Sequence, residues 1–319
     1  MYLNLFTKQS QITTLIIAVM AVSTASLFIR FAQNEVPSLV IASFRLSIAS
    51  LILGVFIIPS KWRELIRIVK NHSKLIFISR FLLAIHFACW ITSLEYTSVI
   101  SSVVLVTTTP IWVSIFSPIF LREKMTWQIG LGLFIALIGS VIITASQNCT
   151  IVSSNILCIM PNSSPLKNSL LGNGLAILGA FAAAGYVILG RQLRKDINLL
   201  PYVFLIYSVA SLVLINFSLF SGYGFSGYSL NGYFWMVLLA IVPQLIGHSL
   251  LNWLLGFLPA IYVAISLLGE PVGSSVLAWF FLKESPTIIE ALGAVLILTG
   301  ILITILIRQT REDISVHQP

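Results

Sequence analysis

The chain has 319 residues, 58% of them hydrophobic and 9% charged, with a formal net charge of +8. Soluble domains carry about a quarter charged residues. This composition excludes a water-soluble globular domain and makes hydrocarbon the expected solvent.

A spanning helix needs about 20 mainly apolar residues. Ten stretches qualify: 12–29, 38–58, 75–95, 98–121, 127–146, 170–190, 202–220, 232–254, 259–282 and 287–307. They are too long and continuous for barrel strands, so helices that satisfy their own backbone are expected. The first stretch is followed by no clean small-residue cleavage site and reads as a span, not a signal peptide. After the second, "PSKWRELIRIVKNHSK" (59–74) sets Trp62, Leu65, Ile66 and Val69 at helical spacing, with Arg63, Arg67, Lys70 and Lys74 on another face. That is either a helix on an anionic membrane surface or a solvated basic loop. Residues 147–169, rich in Ser, Asn and Pro, read as an irregular loop. They hold Cys149 and Cys158, which an oxidising compartment would let pair as a disulfide. Asn148 and Asn162 there begin sequon tripeptides, which matter only in a secretory pathway. Cys89 falls inside a helix, and no cysteine spacing fits a metal site.

Lys and Arg set the orientation. With the N-terminus in the cytoplasm, thirteen cations fall inside and three outside, with Arg45 and Arg80 inside helices. Both termini are expected in the cytoplasm of a multi-pass plasma (inner) membrane protein. The positive charge then marks the cytoplasmic face and needs no nucleic acid partner.

Residues 109–142 align without gaps on 270–303, a shift of 161, with 11 of 34 positions identical. The matches include Pro110/Pro271, Glu123/Glu284, Gly132/Gly293 and Gly139/Gly300. The chain therefore reads as two units of five helices. Because five is odd, the second unit enters the membrane inverted, the arrangement that places a substrate site near the midplane between halves. The expected organisation is a first repeat over 1–146, an extracytoplasmic loop over 147–169, and a second repeat with a short cytoplasmic tail over 170–319.

Two segments, "TPIWVSIFSPIFLREKMTWQIGLGLFIALIGSVII" and "LLGEPVGSSVLAWFFLKESPTIIEALGAVLILTGILI", resemble the two signature ends of the EamA domain of the drug/metabolite transporter superfamily. "IASFRLSIASLIL" is similar to that family's Arg-containing second helix. The resemblance implies an all-α membrane fold of ten helices in two inverted repeats. It implies a central cavity bounded mainly by helices 1, 3, 4, 6, 8 and 9, and alternating access. It implies no particular substrate, because members move amino acids, nucleotide-linked metabolites, cationic compounds and other small solutes.

Polar residues inside apolar helices cost about 2.5–3.5 kcal/mol at the bilayer centre when charged, so their positions carry information. Glu270 sits mid-helix beside Pro271, which kinks a helix and leaves the Leu267 carbonyl without its usual partner. Glu270 either faces the cavity, binding a cation or proton, or props the kink. Gln244, His248 and Asn252 follow i, i+4, i+8 on one helix face, and His86 and Trp90 stand at i, i+4. A shift of 162 superposes His86 on His248. These residues, with Tyr186 and Trp253, form the candidate substrate cavity. Trp253 either stacks on a ligand or packs. Pro110 and Pro271 are the candidate kinks. Arg45 is expected to pair with Glu95 or Glu35, the alternative being a substrate carboxylate. Arg80 is expected to snorkel inward. Ser23 and Ser26 lie among small residues suited to close helix packing.

The leading expectation is a secondary carrier of a small metabolite, an amino acid or related solute among the options, with proton coupling open. No G-x-x-x-x-G-K-[ST] loop is present, so no cofactor or nucleotide-driven step is expected. A membrane-embedded lipid-modifying enzyme would want clustered acids, a His-Asp set or a metal site, and the intramembrane acids here are sparse. A non-transporting membrane receptor stays open.

Overall fold

The computed structural model describes residues 2–97, 99–123, 125–146, 149–152, 155–158, 166–277, 279–280 and 287–316. The chain is almost entirely helical. In the first half, α1 (Tyr2–Ser23) and α2 (Ala25–Ala32) are followed by α3 (Ser38–Tyr96), α4 (Val99–Val106), α5 (Thr109–Phe120) and α6 (Trp127–Ser146). In the second, α7 (Leu166–Leu193) and α8 (Leu199–Phe220) lead to α9 (Leu230–Leu239), a π-helical segment (Ala240–His248) and α10 (Ser249–Leu254). Then come α11 (Ala260–Ser266), a 3₁₀ turn (Leu267–Gly269), α12 (Glu270–Leu277) and α13 (Ile288–Val316).

Eight helices among the described residues are long and apolar enough to cross a bilayer, and Trp127–Ile143 is apolar but shorter. One of the eight is the 59-residue α3, which bends at Lys61 and His72 and so folds two of the apolar stretches into one helix. The 59–74 stretch between them is helical, not a loop: Leu65 and Ile68 are buried, while Trp62, Ile66 and Val69 are exposed. On α13, Leu292, Val295, Leu298 and Leu302 are each more than half exposed. An apolar face of that size is compatible with lipid, not water.

The 147–169 segment departs from the irregular loop expected of it. Strands β1 (Cys149–Val152) and β2 (Asn155–Cys158) pair antiparallel. Ile151, Val152, Ile156 and Leu157 supply the strand-forming side chains that the surrounding Ser and Asn obscure in composition. The register sets Cys149 opposite Cys158. Their thiols, like Asn148 and Asn162, lie outside the described residues.

α3 packs along α7 and α8, and α6 packs along α13. The α6–α13 contact is built on glycine. A Cβ on Gly139 would lie 2.5 Å from the Gly293 carbonyl, and one on Gly300 would meet the Gly132 carbonyl. Only glycine lets the two backbones come this close, the small-residue packing common between helices in lipid. Residue number rises along α6 while it falls along α13, so the pair is antiparallel.

Candidate functional site

A cavity of about 870 Å³, counting the part that opens to solvent, lies inside the bundle. The structure brings His86, Trp90, Tyr186, His248, Asn252 and Glu270 to its wall, together with Pro110. Arg45 lines it too. The rest is mostly aliphatic, with Val22, Val106, Val187 and Leu251 among the lining groups.

Two helix breaks shape this wall. α4 stops at Val106 and α5 begins at Thr109, with Pro110 at the start of the new helix, where a missing N–H is least costly. α11 stops at Ser266, and α12 begins at Glu270 after the 3₁₀ turn. The expectation that Pro271 would strand the Leu267 carbonyl is corrected here. The Glu270 N–H donates to that carbonyl, because the tighter turn offers it a donor one residue earlier than an α-helix would. The Glu270 carboxylate lines the cavity within the electrostatic reach of Arg45.

His86 Nδ1 lies 2.9 Å from the Gly179 carbonyl. A carbonyl only accepts, so Nδ1 carries the proton and Nε2 is left as an acceptor. The His86 ring stacks on Trp90 at 5.9 Å. His248 is different despite its matched repeat position: it meets the Phe87 ring edge-on at 5.5 Å. Tyr186 donates to Asn252 Oδ1 at 2.9 Å, and Asn252 Nδ2 donates to the His248 carbonyl at 2.7 Å. Asn252 is therefore partly spent on joining α7 to α10.

Two residues expected in the cavity are elsewhere. Gln244 is fully buried off its wall, and Trp253 packs on Phe257 at 4.6 Å. The polar stripe assumed an α-helical period through 244–252, but Ala240–His248 is π-helical around Pro243. The i→i+5 bonds of a π-helix change the period that the stripe assumed; Gln244 and Asn252 still both approach the Tyr207 hydroxyl, and Gln244 is taken up by Arg45.

The Arg45–Glu95 ion pair does not form. Glu95 accepts from the Ser38 N–H at 3.0 Å and so caps the start of α3. Glu35 accepts from the backbone and side chain of Ser229. These hydrogen bonds, the side-chain one foremost, hold the Glu35 carboxyl below its usual range. Arg45, wholly buried, instead donates Nε to Gln244 Oε1 at 2.7 Å and lays its guanidinium 4.3 Å over the Phe87 ring. Its Nη1 and Nη2 have no hydrogen-bond partner among the described residues.

At one end of the bundle, Glu123 gathers four chain segments. Its Oε1 accepts from Arg191 Nε at 3.0 Å, and its Oε2 accepts from the Ala260 N–H at 2.9 Å. Arg191 Nη1 donates to the Leu255 carbonyl at 2.9 Å. Sequence reading did not single out this staple; its signal was Glu123 beside Arg122 at the end of an apolar run. Thr107 and Thr109, which also line the cavity, were likewise missed, although "TTTP" in an apolar run marks a break. Among the described residues, no three His, Cys, Asp or Glu side chains come together as a metal site would need.

An apolar helical bundle with two broken helices around a part-polar cavity is the build of an integral, multi-pass membrane protein. The EamA-like transporter family matches residues 9–145 and 170–306, and the chain belongs to that family. Among similar curated proteins are "Uncharacterized transporter YdfC" of Bacillus subtilis (strain 168), 23% identical over 63% of this chain and 61% of its own length, and "Uncharacterized transporter YxxF" of the same strain, 27% identical over 57% and 60%. An "Uncharacterized transporter" of Archaeoglobus fulgidus is 27% identical over 53% of each. The chain thus spans roughly three fifths or less of the length of these relatives. A solved crystal structure superposes with a TM-score of 0.73 over 93% of this chain and 98% of its own, at 15% identity, a likeness of fold alone.

Proposed function

We propose that this protein is a secondary carrier of a small metabolite, with amino acids and related solutes the first class to test. The solute passes through the cavity between two inverted five-helix repeats by alternating access. The repeats run over 1–146 and 170–319, joined by an extracytoplasmic loop, and each contributes five of ten spans, α3 counting as two. Both termini lie in the cytoplasm, as the cation bias favours.

The observation that carries this reading is the pair of broken helices. Val106–Pro110 and Leu267–Pro271 interrupt equivalent helices at equivalent repeat positions, and both breaks line one cavity. Irregular backbone at membrane depth is tolerated only where protein or a water-filled cavity surrounds it, and discontinuous helices mark the solute site in many carriers. The glycine contacts support the inversion. Gly139 meets Gly293 and Gly132 meets Gly300; adding 161 to one partner and subtracting it from the other exchanges the two contacts, as a two-fold axis requires. Under the proposed orientation the Glu123 staple closes the cytoplasmic end, and access from that side requires it to open. Glu270 is the one carboxylate among the lining residues described and the first candidate for a coupled proton, with His86 and His248 the other proton acceptors in that wall.

Substrate counterflow in proteoliposomes tests the carrier reading. Exchange of at least one solute from a panel of amino acids, amines, nucleotides and sugar phosphates is expected, and its absence throughout, with the protein folded, refutes a carrier. Single cysteines at Lys70 and Ser226 in a background without native cysteines test orientation. An impermeant external reagent should label Ser226→Cys and spare Lys70→Cys; the reverse pattern inverts the assignment.

A further inference from the structure

We infer that Arg45 forms a carboxylate subsite in the cavity, and that the solute is a zwitterion with an apolar body whose ammonium group faces Glu270. The inference rests on the carrier reading above and narrows it to a class of solute.

The argument starts from the cost of the guanidinium. Arg45 is 0% exposed, lines the cavity, and keeps Nη1 and Nη2 without a hydrogen-bond partner among the described residues. Gln244 takes only Nε, and Phe87 offers only a ring face. A neutral amide and a ring hold the side chain in one orientation, and the opposite charge it feels is Glu270 in the same wall, which makes no hydrogen bond to it. A buried donor left unmade costs its desolvation. The two free nitrogens form the end of the planar fork, the edge that meets a carboxylate through two parallel hydrogen bonds. The arrangement is that of a braced donor pair at the cavity wall.

The rest of the wall selects among anions. Arg45 is the one Lys or Arg among the lining residues described. A phosphate dianion would bring two charges to a single cation, whereas a carboxylate brings one. Glu270 lies in the same wall and is not in hydrogen-bond contact with Arg45. Arg45 and Glu270 balance each other electrostatically without touching, so a simple anion or a simple cation would add an unbalanced charge to the wall. A solute carrying both signs satisfies both. The aliphatic lining from Val22, Val106, Val187 and Leu251 suits an apolar remainder, and Nε2 of His86 remains as an acceptor beside it.

The test uses the full chain in lipid nanodiscs and two series of probes: leucine with 3-methylbutylamine and 4-methylpentanoate, and phenylalanine with phenethylamine and 3-phenylpropanoate. Each series keeps the apolar body and removes one charged group. Binding is read by calorimetry and by a rise in melting temperature. At least one amino acid should bind about tenfold or more tighter than both of its analogues, a gap of about 1.4 kcal/mol. Equal binding of the amine overturns the carboxylate subsite, and equal binding of the acid overturns the Glu270 arm. Arg45→Lys keeps the charge and loses the fork; it should weaken the amino acid about tenfold and leave the amine unchanged. A merely structural arginine would lower folding stability and weaken all probes alike. The wild-type analogue series needs no variant, so the proposal stays open to refutation even where Arg45→Lys misfolds. If no probe of either series binds, the zwitterion proposal fails. Counterflow of a solute without a carboxylate would overturn it while leaving the carrier reading intact.

Discussion

The two helix breaks solve one problem in two ways. In the first repeat, Pro110 has no N–H for the Val106 carbonyl, and the Thr109 hydroxyl supplies the donor at 2.8 Å. Thr107 and Thr108 do the same for Val104 and Leu105 at 2.9 and 2.6 Å. In the second repeat, no hydroxyl stands at 267–269, and the backbone repairs itself through the 3₁₀ turn. The side chain at the position of Thr109 is then Glu270. Where side chains mend the backbone, little is left over for a ligand. Where the backbone mends itself, a carboxylate is left facing the cavity. The breaks are symmetric in place and asymmetric in chemistry, which suits a site that binds a solute with unlike ends.

The largest expected effect separates the two positions directly. Glu270→Gln keeps the size and removes the charge. It should cut transport ten- to a hundredfold, the scale of about 1.5–3 kcal/mol for a hydrogen bond to a charged group, with the melting temperature little changed. Both gradient-driven uptake and substrate exchange should fall. Loss of uptake alone, with exchange kept, would assign a coupling proton to Glu270 instead of the solute. Thr109→Val in parallel should leave the solute affinity near that of the parent. Comparable transport losses in the two variants would erase the asymmetry.

The prolines give the next effect. Pro271 is the second residue of α12 as Pro110 is of α5, but the 3₁₀ turn joins α11 to α12 without a gap, so Pro271→Ala restores a backbone donor and lets that helix run on. The 3₁₀ turn then has no reason to persist, and Glu270 turns with the straightened helix. A protein that melts higher and transports several-fold slower is expected. Pro110 follows a two-residue interruption, Thr107–Thr108, and threonine hydroxyls already engage the carbonyls of Val104, Leu105 and Val106, so Pro110→Ala should change both readings little. Equal responses from the two prolines would mean that the breaks are interchangeable.

Much of this was legible in the sequence because lipid imposes simple rules. The described parts of the apolar stretches are helical, eight of those helices are long and apolar enough to cross a bilayer, and the repeat glycines meet across α6 and α13. Glu270-Pro271 announced a bent polar point because few sequences tolerate one in hydrocarbon. What stayed hidden depended on partners distant in the chain or on local helix pitch. Arg45 and Gln244 are 199 residues apart, and nothing in either neighbourhood names the other. The stripe 244–248–252 reads as one face only at 3.6 residues per turn, and the π segment around Pro243 breaks that period. The nearby acids Glu35 and Glu95 looked like partners for Arg45, but each serves backbone N–H groups where a helix begins.

The smallest effect concerns how each break is tied to the other repeat. Thr109 reaches the Ala180 carbonyl of α7 at 3.4 Å, while Ser274 reaches the Ser23 carbonyl at the end of α1 at 2.9 Å. The first contact is long and its hydroxyl is already engaged within its own helix; the second is a full hydrogen bond between helices. Such bonds in membranes average about 0.6 kcal/mol. Ser274→Ala should therefore lower stability by about that much, while Thr109→Val should cost about as much or more, because it strips the Val106 carbonyl of its donor as well. Thermal unfolding in one detergent or lipid at one pH measures both. If alternating access separates α12 from α1, Ser274→Ala should also speed substrate exchange slightly, since one bond fewer must break. A slower exchange rate with unchanged affinity would place that hydrogen bond in the moving state and not in the resting one.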